Sequence, residues 1–265
     1  MHDLIDIGAN LTHDSFDPDR DSVMQRAADV GVNRIIVTGT SVEATAAALR
    51  LVGEYPGRIY ATSGVHPHHA TEVDAAAVTR LRELAEHEAV VAIGECGLDF
   101  FRNYSPRHVQ LQVFETQLRI AVDTGKPVFL HQRDAHESFL ALLTDHVADI
   151  SGGVAHCFTG GSEELEAYLE LGLYIGITGW ICDERRGDAL REAVTILPLD
   201  RVLIETDAPY LLPRDLKEKP SGRRNEPGVL PHVLERLARH MNQDVEVVAK
   251  AATANAERLF GLNQR

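Results

Sequence analysis

The sequence predicts a (β/α)8 barrel, α/β in class, folded as one domain over residues 1–265. Eight short apolar runs rich in Val and Ile alternate with eight stretches of helical periodicity, and such alternation builds a parallel sheet flanked by helices. Five of the runs end on a carboxylate or imidazole: VVAIGECGLDFF, ATSGVHPHH, PVFLHQRD, GGVAHCFTG and VLIETDAPY. In a closed barrel, function gathers at those C-terminal strand ends. No linker-like break in composition divides the chain, and about 250 residues suffice for one barrel. The alternative is an open doubly wound sheet. Against it, no glycine-rich phosphate loop follows the first strand, and polar residues recur at many strand ends rather than at one switch point.

Leu4–Ile7 reads as the first strand, followed by a polar loop through LTHDSFDPD. Residues 19–30 follow as a helix with Val23, Ala27 and Val30 on one face, then a strand over 34–38. An Ala-rich helix over 42–55 stops at Pro56-Gly57. A strand over 59–63 leads into the His66-Pro67-His68-His69 loop, and 75–86 is helical. Val90 to Glu95 is the fourth strand, which Gly97 and Asp99 are expected to break. Residues 107–124 form a long helix with Gly125 as its C-cap. Strands are expected over 127–131, 153–156, 173–177 and 201–204. Helices are expected over 135–146, from an N-capping Ser162, and over 189–197. After a Pro- and charge-rich stretch over 207–228, an amphipathic helix spans Val229 to Met241 and further helix runs from Val245 to Phe260.

Composition narrows the functional classes. No run of about 18 apolar residues suggests a membrane span. The acidic N-terminus lacks the basic and apolar regions of a signal peptide, so a cytoplasmic protein is expected. Three widely spaced cysteines, Cys96, Cys157 and Cys182, argue against a disulfide framework and read as small core residues. On strands, alternation would send Cys96 and Cys157 to the face opposite Glu95 and His156. A net charge of −14 opposes loose binding to nucleic acid, yet allows a few phosphates to be gripped by local arginines and a metal.

Glu95, His131, His156 and Asp207 fall at or just past four strand ends. Buried charge is costly unless it is paired or metal-bound. Imidazole nitrogen with carboxylate oxygen suits a borderline-to-hard divalent ion. Pro67 stiffens the loop that aims His66 at substrate; His68 and His69 read as a polar surface loop. Asp207 lies two residues after Glu205, so in extended chain both point the same way, one as base or ligand, the other in support.

The strings GECGLDF, PVFLHQRDA, HCFTG, YIGITGW, IETDAPYLLPRD and RRNEP resemble the TatD-type metal-dependent deoxyribonucleases, essentially from Asp6 to TANAERLFG. The resemblance implies a TIM barrel of the amidohydrolase-like metallohydrolases. It also implies a magnesium-dependent 3′–5′ exonuclease on single-stranded DNA or RNA 3′ ends, with a role in DNA repair or nucleic-acid turnover. Most of that family opens with a His-x-His pair where this chain has Gly8 and Asn10. The variant opening resembles the subgroup that gives the family its name. Fewer imidazoles favour a harder ion, so Mg2+ is expected ahead of Mn2+ or Zn2+, and one ion ahead of two.

One ion on Glu95, His131 and His156 would polarise the scissile phosphate. Asp207 would take the proton of the attacking water, itself touching the metal, while His66 binds a phosphate oxygen or assists the leaving group. Arg133, Arg223, Glu205 and Asn10 form the expected substrate-binding set, with Arg224 beside them. Trp180, Phe100 or Phe101 are candidates to stack a base, against ordinary packing. A monomer is expected. The alternative enzyme is a metal-dependent ester or amide hydrolase on a small or aminoacyl substrate, which fits an acidic surface. A non-catalytic barrel is the alternative from outside enzymology.

Overall fold

The structure, a computed structural model, describes residues 2–262. In chain order the elements are β1 (Leu4–Ala9), α1 (Arg20–Asp29), β2 (Val32–Val37), α2 (Val42–Glu54), β3 (Ile59–Ser63), α3 (Ala75–Ala85), β4 (Val90–Asp99) and α4 (Arg107–Thr124). There follow β5 (Val128–Arg133), α5 (His136–His146), β6 (Gly153–Ala155), α6 (Ser162–Glu170), β7 (Tyr174–Ile177), α7 (Asp188–Ala193), β8 (Val202–Ile204), α8 (Leu230–His240) and α9 (Val245–Phe260). Strand order follows chain order from β1 to β8, without the reversal of a doubly wound sheet. No helix among the described residues is long and apolar enough to cross a membrane.

The chain divides into two compact units. The first comprises residues 1–37, 157–169 and 174–265. Here β1 pairs in parallel with β2, Asp6 opposite Ile35, and β7 pairs with β8, Gly176 opposite Leu203. Ala9 bridges Ala208, so the end of β1 meets the chain just past β8. β1 is buried along its whole length, as a strand covered on both faces must be. Helix α8 buries Leu230, Val233, Leu234, Leu237 and Ala238 at the spacing that predicts it.

The second unit comprises residues 38–156 and 170–173. It holds the parallel strands β3 to β6 with α2 to α5. Ser41 caps α2 by accepting from Ala44 N, and Asp74 caps α3 by accepting from Ala77 N. Gly125 ends α4 at φ 65°, the left-handed cap its sequence position predicts.

Three local expectations are corrected. β4 does not end at Glu95: it continues, buried, to Asp99, because Gly97, Leu98 and Asp99 keep pairing with His131, Gln132 and Arg133 of β5. β6 stops at Ala155, and Cys157 sits at φ 46°, so strand alternation does not govern His156 and Cys157. β8 stops at Ile204 and Asp207 has φ 55°, so Glu205 and Asp207 are not neighbours on one face of an extended chain.

Candidate metal centre

The second unit gathers its imidazoles around Glu95. Along the β4–β5 pair, Gly94 opposes Phe129 and Cys96 opposes Leu130, which leaves Glu95 as an extra, bulged residue. A bulge re-aims one side chain out of the strand's alternation. Glycines on either side make the bulge sterically feasible. A Cβ on Gly94 would lie 2.1 Å from Phe129 O, and one on Gly97 would lie 1.9 Å from His131 O. Both glycines have φ above 140°, where L side chains are disfavoured.

The Glu95 carboxylate is buried, and three imidazole nitrogens approach its Oε1: His131 Nδ1 at 2.9 Å, His66 Nε2 at 3.5 Å and His156 Nε2 at 3.6 Å. Burial alone would raise its pKa, but His66, His156 and His131 outweigh it and hold Glu95 below the usual carboxylate range. His131 is shifted the other way. Burial lowers an imidazole, yet the Asp99 and Glu95 carboxylates keep it above its ordinary value. Asp99, despite desolvation, is held low by His131, His68 and the Arg102 backbone N–H. Burial pushes His66 down to about 3, so it is neutral. Its Nδ1 accepts from His68 N at 3.1 Å, which assigns the ring hydrogen to Nε2, facing Glu95. His66 therefore presents a hydrogen-bond donor.

These residues fit a divalent cation. Ligand atoms of His66, Glu95 and His131 lie within 4.8 Å of one another. His131 Nε2 is buried without a hydrogen-bond partner, its anionic neighbour Asp99 Oδ2 lying 3.6 Å away, beyond hydrogen-bond range. A carboxylate beside imidazole nitrogens is a mixed oxygen and nitrogen donor set that suits a borderline-to-hard divalent ion. With its ring hydrogen on Nε2, His66 is a donor in this cluster, which leaves ring nitrogens of His131 and His156 beside the Glu95 carboxylate.

Two residues of this cluster are not marked by the sequence reading. Asp99 Oδ2 lies 2.7 Å from His68 Nε2, so His68, half-buried, belongs to the cluster rather than to a polar surface loop. His69 is on the surface, paired with Glu72. The signal for Asp99 was available: it lies four residues after Glu95 in a run whose glycines did not end the strand. Arg133, at the end of β5, lays its guanidinium 4.2 Å from the Phe101 ring centroid, and Arg107 lies 4.4 Å from that of Phe100.

In the first unit, Asp207 Oδ1 accepts from Asn10 Nδ2 at 2.9 Å, and Asp207 N donates to Gly8 O at 2.8 Å. Glu205 is fully buried and accepts from Cys157 N at 2.6 Å. Beneath them, Asp6 accepts from Thr206 N at 2.9 Å and from Thr206 Oγ1 at 2.5 Å. Asn10 thus acts on Asp207 through its side chain, and Gly8 through its carbonyl. Arg224 is committed to Asp19, Glu226 and Ser15 O, so the structure removes it from the phosphate-binding candidates. Arg223 is exposed, in the left-handed region at φ 57°. Asn225, from the same RRNEP string, is buried and pins the loop by donating to Thr206 O and Tyr210 O. Trp180 follows β7 with Arg186 over its ring at 4.2 Å. Cys96 and Cys182 are buried, and Cys157 is half-buried with Sγ 3.5 Å from Thr178 Oγ1.

A family model described as "TatD related DNase" matches residues 5–261. The protein named 3′-5′ ssDNA/RNA exonuclease TatD of Citrobacter rodentium is 52% identical over 259 residues, covering 98% of each chain. Its namesake in Erwinia billingiae is 50% identical over 98% of this chain and 99% of the relative. Among solved structures, the TatD homolog YJJV from Escherichia coli K12 matches with a TM-score of 0.89 and 30% identity, covering 97% of this chain and 98% of that one. The eight parallel strands in chain order, with this likeness, make the fold an α/β barrel shared with that TatD homolog. A matching family model over nearly the whole chain, and relatives half identical to it, establish that the chain belongs to the TatD related DNase family.

Proposed function

We propose that this chain is a metal-dependent phosphodiester hydrolase, a 3′–5′ exonuclease on single-stranded DNA or RNA. It acts as a cytoplasmic monomer, its residues 1–265 forming one catalytic domain, in DNA repair or nucleic-acid turnover. The observation that carries the reading is the buried Glu95 carboxylate with three imidazole nitrogens within 3.6 Å of one oxygen. The exonuclease names of relatives about half identical over 98% of the chain support the substrate class.

Glu95, His131 and His156 are the residues that would hold the ion, with Mg2+ expected ahead of Mn2+ or Zn2+ because a histidine pair is missing at Gly8 and Asn10. When bound, a divalent ion supplies Lewis acidity toward a phosphoryl oxygen. His66, neutral and with its hydrogen on Nε2, donates to a phosphate oxygen; its depressed pKa argues against service as the acid for the leaving group. Asp207 accepts the proton of the attacking water, its carboxylate oriented by Asn10 Nδ2. Glu205 supports this region by fixing the backbone at Cys157. Arg133 and Arg223 supply local positive charge for the substrate backbone in a chain of net charge −14.

The test is nucleotide release from 3′- and 5′-labelled single-stranded DNA by metal-stripped protein, with Mg2+, Mn2+ or Zn2+ restored. Ladders shortening from the 3′ end, dependent on metal and absent in Glu95→Ala, support the reading. No cleavage by metal-loaded protein, with hydrolysis of small esters instead, overturns it. Asp207→Asn with full turnover and metal bound defeats the base assignment.

A further inference from the structure

Residues 100–105, between β4 and α4, are held firmly yet expose two large aromatic side chains. Asp99 Oδ1 accepts from Arg102 N at 2.7 Å, and Phe100 N donates to Arg133 O at 2.9 Å. Gln110 Nε2 donates to Asp99 O and to Ser105 O, and Ser105 Oγ donates to His68 O. A segment fastened at both ends in this way has little conformational entropy left to lose on binding. Phe101 is nevertheless 54% exposed and Tyr104 66% exposed.

Tyr104 is tied to the histidine cluster and Phe101 to positive charge. Tyr104 packs edge-on against His68 with centroids 4.7 Å apart, His68 against His66 at 4.2 Å, and His66 against His131 at 4.5 Å. Four rings therefore run in contact from the surface to the His131 ligand. Phe101 carries the Arg133 guanidinium 4.2 Å from its centroid and that of Arg102 at 5.8 Å. Exposed aromatics beside arginines, on a chain that is acidic as a whole, are complementary to an anionic ligand with flat faces. Unpaired nucleobases on a phosphate backbone have that chemistry, and proteins that hold single strands without sequence preference combine ring stacking with basic side chains.

We propose that Phe101 and Tyr104, with Arg102 and Arg133, form a base-stacking platform for the nucleotides beside the scissile phosphate, so that single-strandedness is selected by the need for unpaired faces. The proposal rests on the nuclease reading above and names the part of the substrate that this loop recognises. Base pairing and helical stacking hide both faces of a base, so duplex ends gain nothing from the platform. Arg133 has a double role: its guanidinium sits over the Phe101 ring, and its N–H groups are of the kind that fork onto phosphate.

The experiment compares two fluorescent probes of equal length bound to the chelator-treated protein: oligo-dT and an abasic strand with the same backbone. The wild type is expected to bind oligo-dT about tenfold or more tightly, as stacking contributions measured by alanine substitution imply. Phe101→Ala and Tyr104→Ala each lose several-fold of that preference, and the double variant binds both probes alike. Tyr104→Phe, which keeps the ring, retains the preference. Phe101→Leu, apolar without a ring face, loses it. Equal binding of both probes by the wild type, a double variant that keeps the preference, or Phe101→Leu behaving as wild type overturns the platform. Metal-restored wild type that cleaves single strands while failing these comparisons removes the platform alone. Preference for oligo-dT without cleavage removes the nuclease reading alone.

Discussion

Asp6 is a carboxylate buried in the middle of β1, and its ionisation opposes folding. Burial raises its pKa most, Glu205 adds to the rise, and hydrogen bonds from Thr206 and from Gly8 N offset part of it, leaving the group at about 7. The unfolded chain ionises near 3.8. Between those values the folded state holds a proton that the unfolded state has released, so stability falls as pH rises through this window. The full shift corresponds to about 4 kcal/mol, and about 2–3 kcal/mol of it falls between about pH 5 and pH 8. Asp6→Asn keeps the shape and an acceptor for Thr206 N but does not titrate. Urea denaturation with chelator present, at the two pH values, gives the four stabilities required. The variant is expected to gain about 2–3 kcal/mol relative to wild type on going from the lower pH to the higher. A relative change below about 0.5 kcal/mol would mean that Asp6 ionises alike in both states and refute the reasoning.

Other perturbations address the cluster and its supports. Glu95→Gln removes the charge around which His66, His131 and His156 gather, and equilibrium dialysis is expected to show a loss of Mn2+ affinity beyond the roughly 10–100-fold typical of supporting residues; wild-type affinity would exclude Glu95 as a ligand. Gly97→Ala places a Cβ 1.9 Å from His131 O at φ 144°, so thermal unfolding should show a loss of about 3 kcal/mol or more, and an unchanged Tm would show that β4 and β5 separate easily. Asn225→Ala leaves Thr206 O and Tyr210 O without their buried donor, with an expected cost of about 2–3 kcal/mol by denaturant titration; a cost below about 0.5 kcal/mol would mean that the RRNEP string does not anchor the loop.

The fold was legible because its signals are periodic and local. Strand Ile59–Ser63 and helices Arg107–Thr124 and Val245–Phe260 lie where the pattern puts them, since apolar spacing, a stop at Gly125 and uninterrupted helix formers all agree. The errors fall where backbone geometry departs from period. The strand reading stops at Glu95, because Gly97 beyond it weakens strand propensity; yet here glycine lets β4 approach β5 closely. Extended-chain reasoning aligns Glu205 with Asp207, but a positive φ at Asp207 has no signature in the pattern of apolar and polar residues.

Residue type was legible at the cluster, whereas protonation and partnership were not. His66, Glu95, His131 and His156 could be nominated from strand ends because buried donors need a reason to be there. Their division of labour depends on contacts that sequence does not encode locally. The His68 backbone N–H, two residues along, fixes the hydrogen of His66 on Nε2, which makes that ring a donor toward Glu95. Asp99, passed over as a pattern breaker, joins His68 and the Arg102 backbone, and through them the metal cluster to the exposed Phe101–Tyr104 loop. One carboxylate four residues beyond Glu95 thus connects the chemistry to the surface proposed to recognise its substrate. Asp99→Asn is therefore expected to weaken oligo-dT binding while leaving Glu95 and its imidazoles to hold the ion. A variant that lost metal and kept strand binding would reverse that order and make Asp99 a support of the ligands alone.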